Sequence, residues 1–183
     1  MINTCDILNF NPETCLDKQW VPGLHRRIYL TRRSRIANYS FSNDGNITEI
    51  SFVNDDEALI RLYGEKQGHS GQQELQTRDG KFIKQSLSLR LRQRDGISKN
   101  AIQALIHQDD LVAIVETYNQ TFRVYFTQYG AEMMSLRQSD GAKPGDDTAF
   151  AIVLEGAETR LIPDFINENY EVSAALLDSY VSV

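Results

Sequence analysis

The clearest pattern in the chain is an alternation of apolar and polar side chains over residues 81–93. One parity carries mainly apolar side chains and the other carries small polar and basic ones. The first set is Ile83, Gln85, Leu87, Leu89 and Leu91, and the second is Lys84, Ser86, Ser88, Arg90 and Arg92. A period of two over this length predicts a long strand with one buried face and one wet, basic face.

A continuous apolar run over residues 111–117 predicts a central strand that is buried on both faces. A short turn at Asn119 and Gln120 precedes residues 121–126, which we expect to return as the antiparallel partner. Further strands are predicted where β-branched and aromatic residues lie between turn signals. They span residues 27–31, 47–52, 58–66, 72–77, 131–136 and 149–155.

One helix is predicted between these strands. Ser98 is a typical N-cap, and Ile102, Leu105 and Ile106 fall on one apolar stripe of a helix over about residues 98–108. About eight strands and one helix indicate a mainly β fold, an antiparallel β-sandwich or barrel with one packed α-helix.

The strand pattern also divides the chain. We interpret residues 1–24 as an N-terminal arm or loop, residues 25–160 as the β domain, and residues 161–183 as a C-terminal tail or short helix. Residues 67–71 are polar and rich in glycine, which predicts a flexible loop, and residues 138–147 predict another loop.

Composition agrees with a globular protein, since 41% of the 183 residues are hydrophobic and 24% are charged. No apolar run approaches the roughly 18 residues that a membrane span needs. The first residues lack the basic and apolar regions of a signal peptide, so we expect synthesis in the cytoplasm. Cys5 and Cys15 are expected to be reduced thiols, with a disulfide or half of a metal site as alternatives.

The net charge of −6 is unevenly distributed. Residues 1–100 hold 15 basic and 12 acidic side chains, whereas residues 140–183 hold 2 basic and 9 acidic ones. Such polarity suits complementary contacts between copies of the chain, although both sets can also simply be solvated. The candidate subunit-contact residues are Trp20, Arg26, Arg27, Arg32, Arg33, Arg35, Asp146 and Asp147.

The five arginines near residue 30 leave three interpretations open. With nearby tyrosines they could bind nucleic acid, but the chain is acidic overall, with a pI of about 5.1. A strand also alternates its faces, so Arg26 and Arg27 should point in opposite directions. A subunit contact or an intramolecular pairing of these charges explains the cluster equally well.

The sequence contains no recognisable active site. The P-loop, the G-x-S-x-G elbow and the H-E-x-x-H zinc motif are all absent. His69 beside Ser70 is unsuited to a nucleophile–base pair, because adjacent side chains diverge in an extended chain. The combination of His107 with Asp109 and Asp110 is too weak a pattern to predict a metal site. Asp146 and Asp147 likewise offer too few oxygens for calcium. We expect a non-enzymatic protein without cofactor or metal.

The order of these features resembles the tail-tube proteins of bacteriophages. The resemblance rests on the alternating strand at 81–93, the helix at 98–108, the hairpin at 111–126 with Gly130 after it, and the opening segment 21–30. It covers about residues 20–160 and includes no diagnostic motif.

The resemblance implies a virion structural protein made in the host cytoplasm. Copies would form rings, usually hexameric, and stack into a tail tube around a DNA channel, in contact with other tail or neck proteins and with no membrane. DNA would only pass through, without specific binding. The basic face of residues 81–93 departs from this picture and should not line the channel unless its charges are paired. The alternative function is a small β-barrel or sandwich module that binds a ligand or peptide.

Overall fold

The computed structural model describes residues 23–54, 58–65, 68–77, 80–92, 96–139 and 149–181, and the fold is mainly β. A three-residue 3-10 helix, Arg33–Arg35, separates the first two strands. In chain order the strands are β1 (Leu24–Arg32), β2 (Ile36–Phe41), β3 (Ile47–Phe52), β4 (Ile60–Tyr63), β5 (Ser70–Gln76), β6 (Phe82–Arg92), β7 (Leu111–Thr117), β8 (Phe122–Tyr125), β9 (Glu132–Ser139), β10 (Ala149–Glu158) and β11 (Asp164–Phe165). The helices are α1 (Gly96–Leu105) and α2 (Tyr170–Ser179).

The described strands form two sheets. The seven-stranded sheet has the order β2-β3-β11-β8-β7-β1-β4, and the four-stranded sheet has the order β5-β6-β10-β9. Every pair in the four-stranded sheet is antiparallel. The one parallel pair among the described strands joins β11 to β3. The sheets do not close into a barrel within the described residues. Of the two predicted alternatives, a sandwich or a barrel, the structure has the sandwich.

The two sheets share an apolar core. From the seven-stranded sheet, β1 and β7 direct alternate side chains into it, and β6 and β10 do the same from the four-stranded sheet. Its members on these four strands are Leu24, Ile28, Leu30, Leu111, Ala113, Val115, Leu87, Leu89, Leu91, Phe150, Ile152 and Leu154. The alternation predicted for β6 is therefore confirmed, because its apolar parity faces this core.

Gln85 is the polar member of that buried parity, and both ends of its amide are hydrogen-bonded. It is 1% exposed. Its Nε2 donates to the carbonyl of Arg160 at 3.3 Å, and its Oε1 accepts from the backbone N–H of Phe126 at 3.0 Å. Because a buried amide is costly without partners, these two bonds explain how the apolar face tolerates it.

The predicted central strand is also confirmed. All seven residues of β7 are buried, and β8 is its antiparallel partner, with Ala113 opposite Tyr125. β7 lies between β8 and β1. A strand with neighbours on both edges and apolar layers on both faces requires the continuous apolar run seen in the sequence.

The seven-stranded sheet is strongly curled. β1 and β2 are five positions apart in the sheet, which in a flat sheet would separate them by about 24 Å. Four residue steps, from Arg32 to Ile36, connect them and span at most about 14 Å. The sheet must therefore bend so that these two strands approach each other.

The curl encloses a second core on the other face of the seven-stranded sheet, which α2 covers. Phe122, Phe165 and Ile114 are fully buried there, and α2 contributes Ala174 and Leu177. The Asn169 side chain caps the helix by accepting from the N–H of Val172 at 3.0 Å. Of the two predictions for the C-terminus, a short helix or a tail, the helix is the one found.

Several predicted boundaries differ from the structure. The predicted helix over residues 98–108 spans Gly96–Leu105, with Ile102 and Leu105 buried as expected. The strand expected over 58–66 is only Ile60–Tyr63. The predicted loop at 67–71 overlaps β5, which starts at Ser70. β2 and β11 were not anticipated. Trp20, Asp146, Asp147 and both cysteines lie outside the described residues.

Candidate functional site

The five clustered arginines lie in different environments. Arg27 on β1 faces α2, where its Nη1 lies 3.7 Å from Asp178 Oδ2. Asp178 also accepts from Tyr29 Oη at 2.7 Å and from Arg61 Nη1 at 3.0 Å. Burial raises the pKa of Tyr29, and the bond to Asp178 raises it further. Arg27 therefore belongs to an intramolecular network between β1 and α2.

Arg32 belongs to a second network. Its Nε donates to Asp110 Oδ1 at 3.0 Å, and the backbone N–H of Ser34 donates to Asp110 Oδ2 at 3.1 Å. Burial alone would raise the pKa of Asp110, but these bonds outweigh it and lower the pKa below its usual value. Asp110 thus fixes the bend between β1 and β2.

Arg33 lies on the opposite side of that bend. Its Nη1 donates to the carbonyl of Ile36 at 2.7 Å, and its guanidinium lies 5.5 Å from the ring centroid of Tyr39. Arg26 and Arg35 are exposed. The structure therefore does not bring the five arginines into one patch, and their role in subunit contacts stays a prediction.

A groove opens between the β2–β3 turn, the segment after β8 and the segment after β10. It comprises two adjoining pockets, of about 250 and 720 Å³, that share Phe41, Thr127 and Arg160. The smaller is also lined by Arg33, Tyr39, Gln128 and Thr159, and the larger by Asp44, Gly45, Asn46, Leu161, Ile162 and Pro163. We call this feature the basic groove.

Two stacked arginine–aromatic pairs characterise the basic groove. Arg33 lies over Tyr39, and the guanidinium of Arg160 lies 5.2 Å from the ring centroid of Phe41. Arg33 Nε and Tyr39 Oη are buried and have no hydrogen-bond partner among the described residues. Burial raises the pKa of Tyr39, so its hydroxyl stays protonated and can donate. Two buried donors beside the groove therefore lack acceptors among the described residues.

The carboxylate of Glu158 supports one wall of the groove. Glu158 is 1% exposed and accepts from the backbone N–H groups of Gln128 at 3.0 Å and Tyr129 at 3.2 Å. Burial raises the pKa of Glu158, and these bonds partly offset that effect. Since its oxygens already hold the turn after β8, Glu158 acts as a structural support for the groove.

The outward face of the four-stranded sheet is polar, with mostly small side chains. Ser88 on β6 and Ser135 on β9 lie on this face, because both are opposite Val153 of β10 in the register. Ser86 lies on the same face, opposite Glu155. Two of its basic side chains on β6 are paired, since Lys84 Nζ lies 2.8 Å from Glu155 Oε2 and Arg90 Nε lies 2.9 Å from Glu65 Oε2. At Lys84 and Arg90 the predicted basic charge of this face is therefore neutralised.

Both edges of the four-stranded sheet are exposed in the described structure. β5 pairs with β6 and β9 pairs with β10, and neither has a second neighbour in its sheet among the described strands. Leu75 on β5 is 62% exposed and Met134 on β9 is 58% exposed. β5 contains neither lysine nor proline, the residues that commonly protect an edge strand from pairing.

A histidine–carboxylate contact lies on the other side of the molecule. His25 Nδ1 is 2.8 Å from Glu116 Oε2, and the hydroxyl of Tyr170 donates to Glu116 Oε1. Burial raises the pKa of Tyr170 to about 12, assisted by its bond to Glu116. Glu116 is 6% exposed, so the pair satisfies a buried carboxylate between β7, β1 and α2.

Of the two histidines that the sequence suggested as candidates, His69 makes a structural contact and His107 lies at the surface. His69 Nδ1 accepts from the backbone N–H of Arg90 at 3.2 Å, and burial lowers its pKa, which favours the neutral ring. His107 is exposed, and Asp110 is engaged by Arg32. Within the described ranges, no group of three or more His, Cys, Asp or Glu side chains is arranged to hold a metal ion.

Comparisons with protein-family models, with curated proteins and with solved structures found no match. In the part of the chain that the structure describes, neither helix has the length and apolar character of a membrane span.

Sequence reasoning missed the basic groove. Its walls come from residues 33–46, 127–128 and 159–163, which are far apart in the chain and meet only in the fold. No local pattern marks Arg160 as different from an ordinary surface arginine. The exposed edge at β5 did have a signal, namely a strand without lysine or proline.

Proposed function

We propose that this chain is a non-enzymatic structural subunit that assembles through the two edges of its four-stranded sheet. The observation that carries the proposal is that β5 and β9 both expose an unpaired edge in the described structure. Exposed edges present rows of N–H and C=O groups that readily pair with another strand. Pairing of β5 in one copy with β9 in the next would satisfy both rows.

The strand directions favour such an assembly. Four antiparallel strands alternate in direction, so the two edge strands run in opposite directions. When copies are related by rotation about an axis along the strands, β9 of one copy then meets β5 of the next in antiparallel pairing. This contact joins two different surfaces, and such contacts generate closed rings or open filaments.

The outward face of the four-stranded sheet suits the wall of a channel. Small hydroxyl side chains leave room, and the Lys84–Glu155 and Arg90–Glu65 pairs neutralise two of its basic side chains. A polar wall with paired charges avoids strong attraction to phosphate, so DNA can slide past it. For Lys84 and Arg90, this pairing meets the condition under which the β6 face can line the lumen.

The proposed setting is the tail or neck of a phage-like virion. Rings of this chain, hexameric if they follow the tail-tube pattern, would stack into a tube around passing DNA and contact other tail or neck proteins. The exposed Arg26 lies at the surface, where it can make such contacts. The proposed function requires neither a cofactor nor contact with a membrane.

Electron microscopy and mass photometry of the purified chain test this function. We expect rings or tubes from the wild-type chain. Leu75→Lys or Met134→Lys places a charge on one edge at an exposed position, so each variant should stay folded and lose assembly. Val53→Lys is the matched control, because Val53 is 63% exposed and lies outside the four-stranded sheet. A wild-type chain that stays monomeric at all concentrations contradicts the proposal.

The basic groove favours a second candidate function, a module that binds a ligand or peptide. Its larger pocket, of about 720 Å³, has the size of a small-molecule site. Phe41 and Leu161 offer apolar surface there, being 41% and 66% exposed. A monomeric chain that binds a small organic acid with an apolar body would favour this function over assembly.

A further inference from the structure

We propose that the basic groove binds the acidic segment of residues 140–148 from a second copy of the chain, and that this contact stacks one ring on the next. The inference deepens the proposed function and rests on it, because it assigns the axial contact between rings. It uses surfaces different from the β5 and β9 edges, so the two can be tested separately.

The first argument is the position of the two ends of the four-stranded sheet. Ser139 and Ala149 are paired at one end of β9 and β10, so residues 140–148 are attached to the sheet at that end. At the other end of β10, Glu158 is followed directly by Thr159 and Arg160 in the groove. The nine residue steps between these ends cover about 30 Å. In a ring closed by sheet edges, opposite ends of the strands face opposite rims.

The second argument is charge complementarity. Residues 140–148 contain Asp140, Asp146 and Asp147 against the single Lys143. The groove presents the guanidinium groups of Arg33 and Arg160, against the one carboxylate of Asp44 among its lining residues. Carboxylates and guanidinium groups form strong charge-assisted hydrogen bonds. Head-to-tail stacking of identical rings would therefore bring an acidic rim against a basic one.

The third argument is the set of donors without partners in the groove. Arg33 Nε and Tyr39 Oη are both buried and lack acceptors among the described residues. Both groups belong to residues that line the smaller pocket, of about 250 Å³, together with Arg160. A carboxylate is acceptor-only when ionised and can accept from two donors at once. Binding would have to move the two side chains enough to expose these atoms, and an aspartate carboxylate would then supply the acceptors that they lack.

A peptide-binding measurement tests the groove itself. The probe is a synthetic peptide of residues 138–149, titrated calorimetrically into the edge variant Leu75→Lys so that assembly does not interfere. We expect saturable binding with a dissociation constant below about 1 mM. Arg160→Glu should weaken it at least tenfold. Arg26→Glu, the same charge change at an exposed position of β1 outside the groove, should leave it unchanged.

A peptide in which all three aspartates are asparagine should bind at least tenfold more weakly. No saturable binding of the native peptide would overturn the inference, and so would equal effects of Arg160→Glu and Arg26→Glu. The asparagine peptide binding as tightly as the native one would also overturn it, since the carboxylates would then not be recognised.

Microscopy of the full chain separates this inference from the proposed function. Arg160→Glu should leave single rings intact and abolish their stacking into tubes. Combining it with Asp146→Lys and Asp147→Lys should restore tubes, because the charges are exchanged. Tubes that form normally with Arg160→Glu overturn the inference and leave the edge assembly standing. A chain that binds the peptide but never forms rings overturns the proposed function instead.

Discussion

Lys84 Nζ lies 2.8 Å from Glu155 Oε2 on the outward face of the four-stranded sheet. The pair bridges β6 and β10, the two central strands of that sheet. Glu155 is the carboxylate in contact with Lys84, and Glu74 lies opposite Lys84 on β5. The pair therefore lowers the attraction of this face for DNA.

The first prediction concerns DNA binding. Glu155→Gln removes the carboxylate that contacts Lys84 Nζ, so affinity for a short DNA duplex at 50 mM salt should rise roughly threefold, and the gain should vanish near 200 mM salt. Fluorescence anisotropy measures both. Glu171→Gln, an equal charge change at an exposed residue of α2, is the control. Equal gains in the two variants would mean that net charge, and not the Lys84 pair, controls the affinity.

The second prediction concerns Gly130, which follows β8. Its φ is +81°, and a Cβ added there would lie 2.6 Å from the Asp110 Cα. Gly130→Ala should lower the free energy of unfolding by about 2–4 kcal/mol, measured by denaturant titration. Gly45→Ala is a matched control, because Gly45 has a φ of +82° and open space around it, and it should cost about 1 kcal/mol.

Equal losses for the two glycine variants would show that the backbone conformation alone matters. The close approach of Gly130 to Asp110 would then contribute nothing to stability. The comparison therefore isolates the packing of the turn after β8 against the start of β7.

The third prediction concerns Asp110, whose pKa is lowered in the folded chain. A carboxyl with a lowered pKa stabilises the fold above its usual value of 3.8, and this contribution is lost as the pH falls through the folded pKa. At pH 7, Asp110→Asn should cost about 1–2 kcal/mol of unfolding free energy. The difference from wild type should shrink as the pH falls below 3.8.

Asp109→Asn is the neighbouring control, since Asp109 is exposed and should show little effect at any pH. Urea titrations at pH 7, 5 and 3 make the comparison. A loss for Asp110→Asn that is the same at every pH would show that the charge of the carboxylate contributes nothing.

The strands with strong periodicity could be predicted from the sequence. β6 alternates because one face packs on the core and the other meets water, and β7 is uniformly apolar because both faces are covered. α1 was predicted from Ile102 and Leu105, which both reach the core. In these elements a single layer of packing determines the pattern, so the local sequence carries the information.

β2 and β11 were missed for different reasons. β11 has only two residues, and its partners β3 and β8 are remote in sequence. β2 forms a local hairpin with β3, but it is short and two register shifts interrupt that pairing. The basic groove, like β11, depends on distant residues, since Arg33 and Arg160 meet only after the seven-stranded sheet has curled.

Hydrogen–deuterium exchange on assembled and unassembled chain tests the central claim most directly. The unassembled sample is the Leu75→Lys variant, and the assembled sample is the wild-type chain. If the edges of the four-stranded sheet form the subunit contact, the amides of Ser70–Gln76 and Glu132–Ser139 should become strongly protected on assembly. The edge strands β2 and β4 of the seven-stranded sheet should change little. Assembly with no added protection in β5 and β9 would contradict the account.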